Sequence, residues 1–533
     1  MPRIRRRVVF CSIAAVVLSL AFGSPARGDH GSDERVGNVN FPTSCSPAAQ
    51  PSLDKGLALL YSFQYQESAQ AFGDAAQRDA HCSMAYWGKA MSLYHQLWEF
   101  PDASEIVEGR QDVAQAEKAG PQTPREREYI AAAAAFYQDD SKLTHTARTQ
   151  AYSDSMQKLF ADNPNDVEAG ALYALSLVSL AQDGVDELPN RSKAIAILNP
   201  LFAQQPNNPG VAHFLIHASD VPELAAEGLP AARVYAKIAP DSSHATHMPS
   251  HIFRRLGLWQ EMIDSNLAAI AAAAEATRAG RGDASYQFHP MDFLDYAYLQ
   301  SGQESKARRL VEACTAVPGA RPAGIADHEA LFEARNAIEL HHWKEAAALV
   351  IHEQGPTSQD VTYWARAIGA ARTGDATGAR EDAKRLAGIV KTQNEHDKEM
   401  GNTVTPGANV EQREADAWIA FADGKFEEAL ASLRAAAQRE ESGREDPVAG
   451  PAREMLADML LELKRPTDAL AQYRAVLKDY PNRFDALYGA ARSAEAASNH
   501  KQAQEFYARL IHISLPGADR PELQTAKAIA GGH

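Results

Sequence analysis

Near its C-terminus the chain reads LELKRPTDALAQYRAVLKDYPNRFDALYGAARSAEAASNHKQAQEFYARL, two similar blocks in which Ala469 and Ala503 lie 34 residues apart, as do Tyr473 and Tyr507. This period constrains the fold more than any other feature. A unit of about 34 residues buries its apolar face only by stacking on copies of itself, so a period of this kind predicts an array. Alanine runs such as AAAAAF and AAIAAAAEA favour helix, because alanine loses no side-chain entropy there. No region alternates Val, Ile and Thr as strands do. The expected fold class is all-α.

Further copies of a turn signal, a small residue followed at a fixed offset by an aromatic one, occur in GKFEEAL at Gly424, HHWKEAA at His341, LGLWQEM at Leu256 and FQYQESA at Phe63. TGDATGA near Gly374 and SGQESKA near Gly302 are weaker copies. The period, the small and aromatic positions and the terminal Pro481 resemble the tetratricopeptide repeat, whose unit is a helix pair, A then B. The resemblance implies a right-handed superhelical solenoid of helix-turn-helix repeats with the A helices lining the concave side. Placing the turns in register gives about ten to twelve units between roughly residues 49 and 517, with slipped spacing over 99–205. The expected organisation is a leader at 1–28, an N-terminal extension at 29–48, an array with a histidine-lined groove at 49–398, a hinge at 399–412 (EMGNTVTPGANVEQ) and a second array at 413–533.

The start, MPRIRRRVVFCSIAAVVLSLAFGSPARG, has a basic leader, an apolar run and small residues, the pattern of a secretory signal. No later segment is apolar and long enough to span a membrane, so the mature chain is expected to be periplasmic or secreted. Cutting after Gly28 removes five arginines and no acid, which takes the formal charge from −16 to −21. Such a balance disfavours nucleic acid and anionic lipid as partners. Three cysteines then remain. In an oxidising compartment Cys45 and Cys82 are expected to pair, and Cys314, in a helical pattern, to be a buried thiol.

HFLIHASD and HATHMPSHIF carry the candidate site. In the repeat register His213 and His247 both take the fifth place of their units and His217 and His251 the ninth, while Asp220 and Arg254 share the twelfth. Spacings of three and four put such residues on one helical face. In the family, places two, five, nine and twelve of helix A face the groove, so the resemblance implies that His213, His217, Asp220, His244, His247, His251 and Arg254 line it. His289, Asp292 and Tyr296 follow at matching places, then His328 and Arg335. Pro249 fits only a first helical turn, which places His244 just before its helix. HMPSHIF and HFLIHASD also resemble segments of a group of exported bacterial tetratricopeptide proteins with no assigned activity.

Paired imidazoles at i, i+4 chelate metals, and adjacent packed helices lie about 10 Å apart, so two pairs on neighbouring helices can converge. The metal reading centres on His213, His217, His247 and His251 around one transition metal (Zn, Cu, Ni or Fe), with Asp220, His244, His289 and Asp292 as outer candidates, the carboxylates as ligands or their supports. A second reading is a groove that binds a protein, peptide or small ligand without metal, and a third is structural histidines bonded to helix ends and carboxylates. The array itself favours a binding scaffold, and a metal-binding protein or metalloenzyme is the alternative. HExxH, the nucleophile elbow and phosphate-loop motifs are absent from the sequence, and no reaction is assigned.

Overall fold

The structure is a computed structural model that describes residues 35–530 apart from 98–99, 139–141, 281, 356–357, 400–408 and 444–446. The expected leader and the larger part of the expected hinge lie outside the described residues. Helices follow one another from Gln50–Tyr61 to Glu522–Ala530, and no strand occurs among the described residues.

The 34-residue signature is a packing code. Ala469, Tyr473, Ala503 and Tyr507 are all buried. A Cβ on Gly489 would lie 2.2 Å from the Tyr473 ring, and one on Gly88 would lie 2.2 Å from Phe72, so the aromatic residue of a B helix rests on the bare backbone of the next A helix. The turn between A and B uses a left-handed residue. Gly257, with φ of 64°, ends the helix Pro249–Leu256, and the next amide, of Leu258, donates to the Phe253 carbonyl at 2.8 Å. Phe63 does the same after the helix Gln50–Tyr61, with φ of 56° and Gln64 donating to Leu59 at 3.0 Å. A bulky residue there is strained by about 1 kcal/mol or more, so something must hold it.

Two ties close the array on itself. An extended segment at 35–46 crosses several repeats: the Arg35 amide donates to Asp241 and the Ser44 amide to Glu126, and Cys45 is disulfide-bonded to Cys82. Cys314 is buried and free. At the other end the turn before the helix Phe484–Ala496 packs on the 249–278 repeat, where the Trp259 indole donates to the Asn482 carbonyl at 3.0 Å. Beside it Arg483, 1% exposed, is held between Glu339 at 2.6 Å and Glu454 at 2.8 Å. Across the expected hinge the Trp364 indole, on the helix Gln359–Thr373, donates to Glu414 on the helix Val410–Ala422 at 2.8 Å, and the described residues from Arg35 onward form one compact unit.

Candidate metal centre

Three consecutive A helices carry the histidines. His213 and His217 sit on Pro209–Ser219, His244 and His247 on the short helix Ser243–His247, His251 on Pro249–Leu256 and His289 on Phe288–Gln300. The expectation for His244 is corrected: Ser242 caps a helical turn that starts before Pro249, so His244 lies inside it. Pro249 remains at a first helical position because Met248, at φ −52° and ψ −35°, carries the helical path across the break.

The four histidines expected to share one ion are divided between two clusters. His213 and His217 converge with His244, and His247 and His251 converge with His289; in each triad one nitrogen per ring lies within 4.8 Å of the others. In repeat terms, places five and nine of one A helix meet place two of the next, because the start of each A helix lies against the middle of its predecessor. Asp292, at place five of the following unit, pairs instead with Arg335 at 2.6 Å. His328 turns back to the Gly324 carbonyl of its own helix at 2.8 Å. The pattern therefore stops after two triads.

Hydrogen positions follow from the partners. The His213 Nδ1–H donates to the Tyr61 carbonyl at 2.6 Å, which leaves Nε2 with one lone pair. That lone pair faces His217 Nε2 at 2.9 Å and His244 Nε2 at 3.0 Å, and it can accept only one hydrogen bond. In the second triad His247 Nδ1 donates to Asn266 Oδ1 at 2.7 Å; the amide is oriented by Asn266 Nδ2, which donates to the Met262 carbonyl. His251 Nδ1 donates to Asp220 Oδ2 at 3.0 Å. With both rings neutral the two Nε2 atoms are bare, and they face each other at 3.1 Å. Two neutral imidazoles so arranged repel unless a cation sits between them. Imidazoles on a tetrahedral ion with bonds of about 2.0–2.1 Å have nitrogens roughly 3.3 Å apart, near the spacing found.

The electrostatics keep these lone pairs available. Burial, followed by the neighbouring imidazoles, pushes His213, His217, His244 and His247 well below the usual imidazole value. His289 has an exposed outer edge, yet desolvation on its inner side and the nearby His251 lower it to about 4. Burial opposes ionisation of Asp220, but Arg255, bonded at 2.9 Å, and His251 outweigh it and hold the carboxylate well below its ordinary range. A histidine that gives its second N–H to a carbonyl or carboxylate is oriented and made more basic as a ligand.

One phenylalanine covers each triad. The Phe63 ring lies 4.5, 5.6 and 5.5 Å from those of His213, His217 and His244. The Phe293 ring lies 4.8, 4.6 and 5.1 Å from those of His247, His251 and His289. The strained turn at Phe63 is thus explained by what its side chain covers. Neither ring was expected at the site: Phe63 stands out in the sequence only as a turn position, and His341, Lys464 and Ser498 hold the same left-handed place in other repeats, so its bulk alone gave no signal. Of the remaining expected groove residues, Arg254 lies over the rings of Phe293 and Tyr296, and the Tyr296 hydroxyl receives Arg483. A third group, Glu329 and Glu333 with His352, was also missed; its i, i+4 carboxylates are the signal, and all three residues are half-buried.

The tetratricopeptide repeat family model matches residues 53–124, 415–475 and 455–519. The matched segments are tetratricopeptide repeats. Both triads lie on repeats between the matched segments. No curated protein matches the chain. Solved structures of similar fold include a tetratricopeptide repeat protein from Parabacteroides merdae, 12% identical over 51% of this chain and 97% of that one, with a TM-score of 0.31. A monomeric mutant of IFIT1 with Gppp-AAAA is 12% identical over 89% of this chain and 98% of its own, with a TM-score of 0.38. The APC/C hetero-tetramer Cut9-Hcn1 is 11% identical over 89% and 95%, with a TM-score of 0.27. Tetratricopeptide arrays serve generally as scaffolds for binding. Among the described residues no helix is long and apolar enough to cross a membrane.

Proposed function

We propose that this protein binds two transition-metal ions, one in each histidine triad. The observation that carries the reading is the direction of the nitrogens: Nε2 lone pairs converge while Nδ1–H groups of His213, His247 and His251 are given outward to Tyr61, Asn266 and Asp220. Neutral imidazoles suit Zn, Cu, Ni or Fe. A proton shared between His247 and His251 would relieve their 3.1 Å contact, but it would not account for a third imidazole at both places or for the doubly faced lone pair of His213.

The scaffold reading is supported by the array, whose concave face suits a protein or peptide. Its supposed contact residues are less available than the register implied, since His213 is fully buried and His247 is 1% exposed. We assign the protein to an oxidising, exported compartment, on the basic-apolar leader and the Cys45–Cys82 disulfide. Metal content of the purified full chain tests the function. Two equivalents are expected, with one lost in His213→Ala/His217→Ala and the other in His247→Ala/His251→Ala. Sub-stoichiometric metal, or content unchanged in both double variants, would contradict it.

A further inference from the structure

The two triads are built alike but open unequally to solvent. In the first, His213 is fully buried, His217 is 5% exposed and His244 is half-buried. In the second, His247 is 1% exposed, His251 is half-buried and His289 is exposed. His289, exposed, follows the short turn Ala284–Gln287, whereas the Phe63 ring of the first repeat lies across the buried first triad. Three imidazoles leave at least one coordination place for a further ligand, and access decides whether that place can be used.

The open triad also has a cation beside it. Arg254 is three residues after His251 on one helix, and its guanidinium lies 5.4 Å from the Phe293 ring that covers the triad and 4.7 Å from the Tyr296 ring. An anion approaching the second ion therefore meets the Arg254 guanidinium, while the carboxylates beside that triad, Asp220 and Asp292, are each paired with an arginine, Arg255 at 2.9 Å and Arg335 at 2.6 Å.

We infer that the second triad is the exchange site of the protein, where an ion held by His247, His251 and His289 accepts a small anion from solvent, of carboxylate, oxyanion or pseudohalide chemistry, while the ion of the first triad stays enclosed. The inference rests on the two-ion reading above. The bond formed is a donor bond from the anion to the ion, and only a water is displaced. This makes the second triad the place for a substrate and gives the first a structural part.

Azide titration of the full chain loaded with two equivalents of Cu(II), followed by the azide-to-copper absorption band, tests it. The band is expected to saturate at one azide per chain. It should vanish in His247→Ala/His251→Ala, which keeps one equivalent of copper, and persist in His213→Ala/His217→Ala. Arg254→Gln should weaken azide binding about five-fold with copper content unchanged. Two bound coppers with no azide band, a band that survives loss of the second triad, or one lost with the first triad would overturn the inference and leave the two-ion reading intact. Failure of the wild type to hold two ions would sink both. Helical circular dichroism and the remaining equivalent of copper in each double variant report that its fold is retained.

Discussion

Asp220→Asn separates a metal support from a plain structural contact. The Asp220 carboxylate accepts the His251 Nδ1–H at 3.0 Å and the Arg255 Nε–H at 2.9 Å. Asparagine keeps the shape but loses the charge, and it offers one oxygen to two donors. Charge-assisted bonds are roughly twice as strong as neutral ones, and loss of the partner of a ligating histidine typically lowers metal affinity 10- to 100-fold, about 1.4–2.7 kcal/mol. That loss should fall on one of the two ions, because the hydrogen-bonded supports of the first triad lie elsewhere: Tyr61 orients His213, and Arg191 holds the His217 carbonyl. Chelator competition on wild type and variant should show one equivalent weakened by that factor and the other within about three-fold. Loss of the charged partner of Arg255 should also cost about 1–3 kcal/mol of stability, which a melt of the metal-free protein measures separately. Equal weakening of both equivalents, or of neither, would refute the assignment of Asp220 to the second triad.

Phe63→Gly should relieve the left-handed turn while uncovering the first triad, so metal at that triad should exchange faster in a stopped-flow chelator assay even where the melting temperature rises. Arg483→Met leaves Glu339 and Glu454 buried without their partner, and about 3–5 kcal/mol of stability should be lost in denaturant titration; a loss under 1 kcal/mol would show that the C-terminal tie is dispensable. Cys45→Ser/Cys82→Ser opens a loop spanning 37 positions and should cost about 2–5 kcal/mol by the same assay. Glu440, buried in the 426–443 helix, has its pKa raised to about 8, by burial first. Its folded value lies above the unfolded one, so the folded state binds the extra proton. Stability should fall as pH rises towards about 8, with a slope of up to about 1.4 kcal/mol per pH unit from this group, and Glu440→Gln should flatten that fall.

The repeat register was legible because the period is written in residues that pack: Ala469 and Tyr473 recur at Ala503 and Tyr507 and are core in both copies. From it followed the equivalence of His213 with His247 and of His217 with His251. The grouping was not legible, because spacing along one helix says nothing of where the next helix crosses it; the crossing brings His244 to His213 and His289 to His247. Nor could a local reading find Tyr61 and Phe63, which reach His213 from 152 and 150 positions away only because the first repeat folds back onto the 209–219 helix. Asp292 looked like a ligand by place and chemistry. Its capture by Arg335 depends on a neighbouring helix and is a property of the fold rather than of the motif.

Anomalous diffraction from crystals of the zinc- or copper-loaded full chain tests the central claim most directly. The account predicts two peaks, one about 2.0–2.2 Å from the Nε2 atoms of His213, His217 and His244 and one at similar distances from nitrogens of His247, His251 and His289. No peak at either triad, or a single ion shared by His213, His217, His247 and His251, would contradict it.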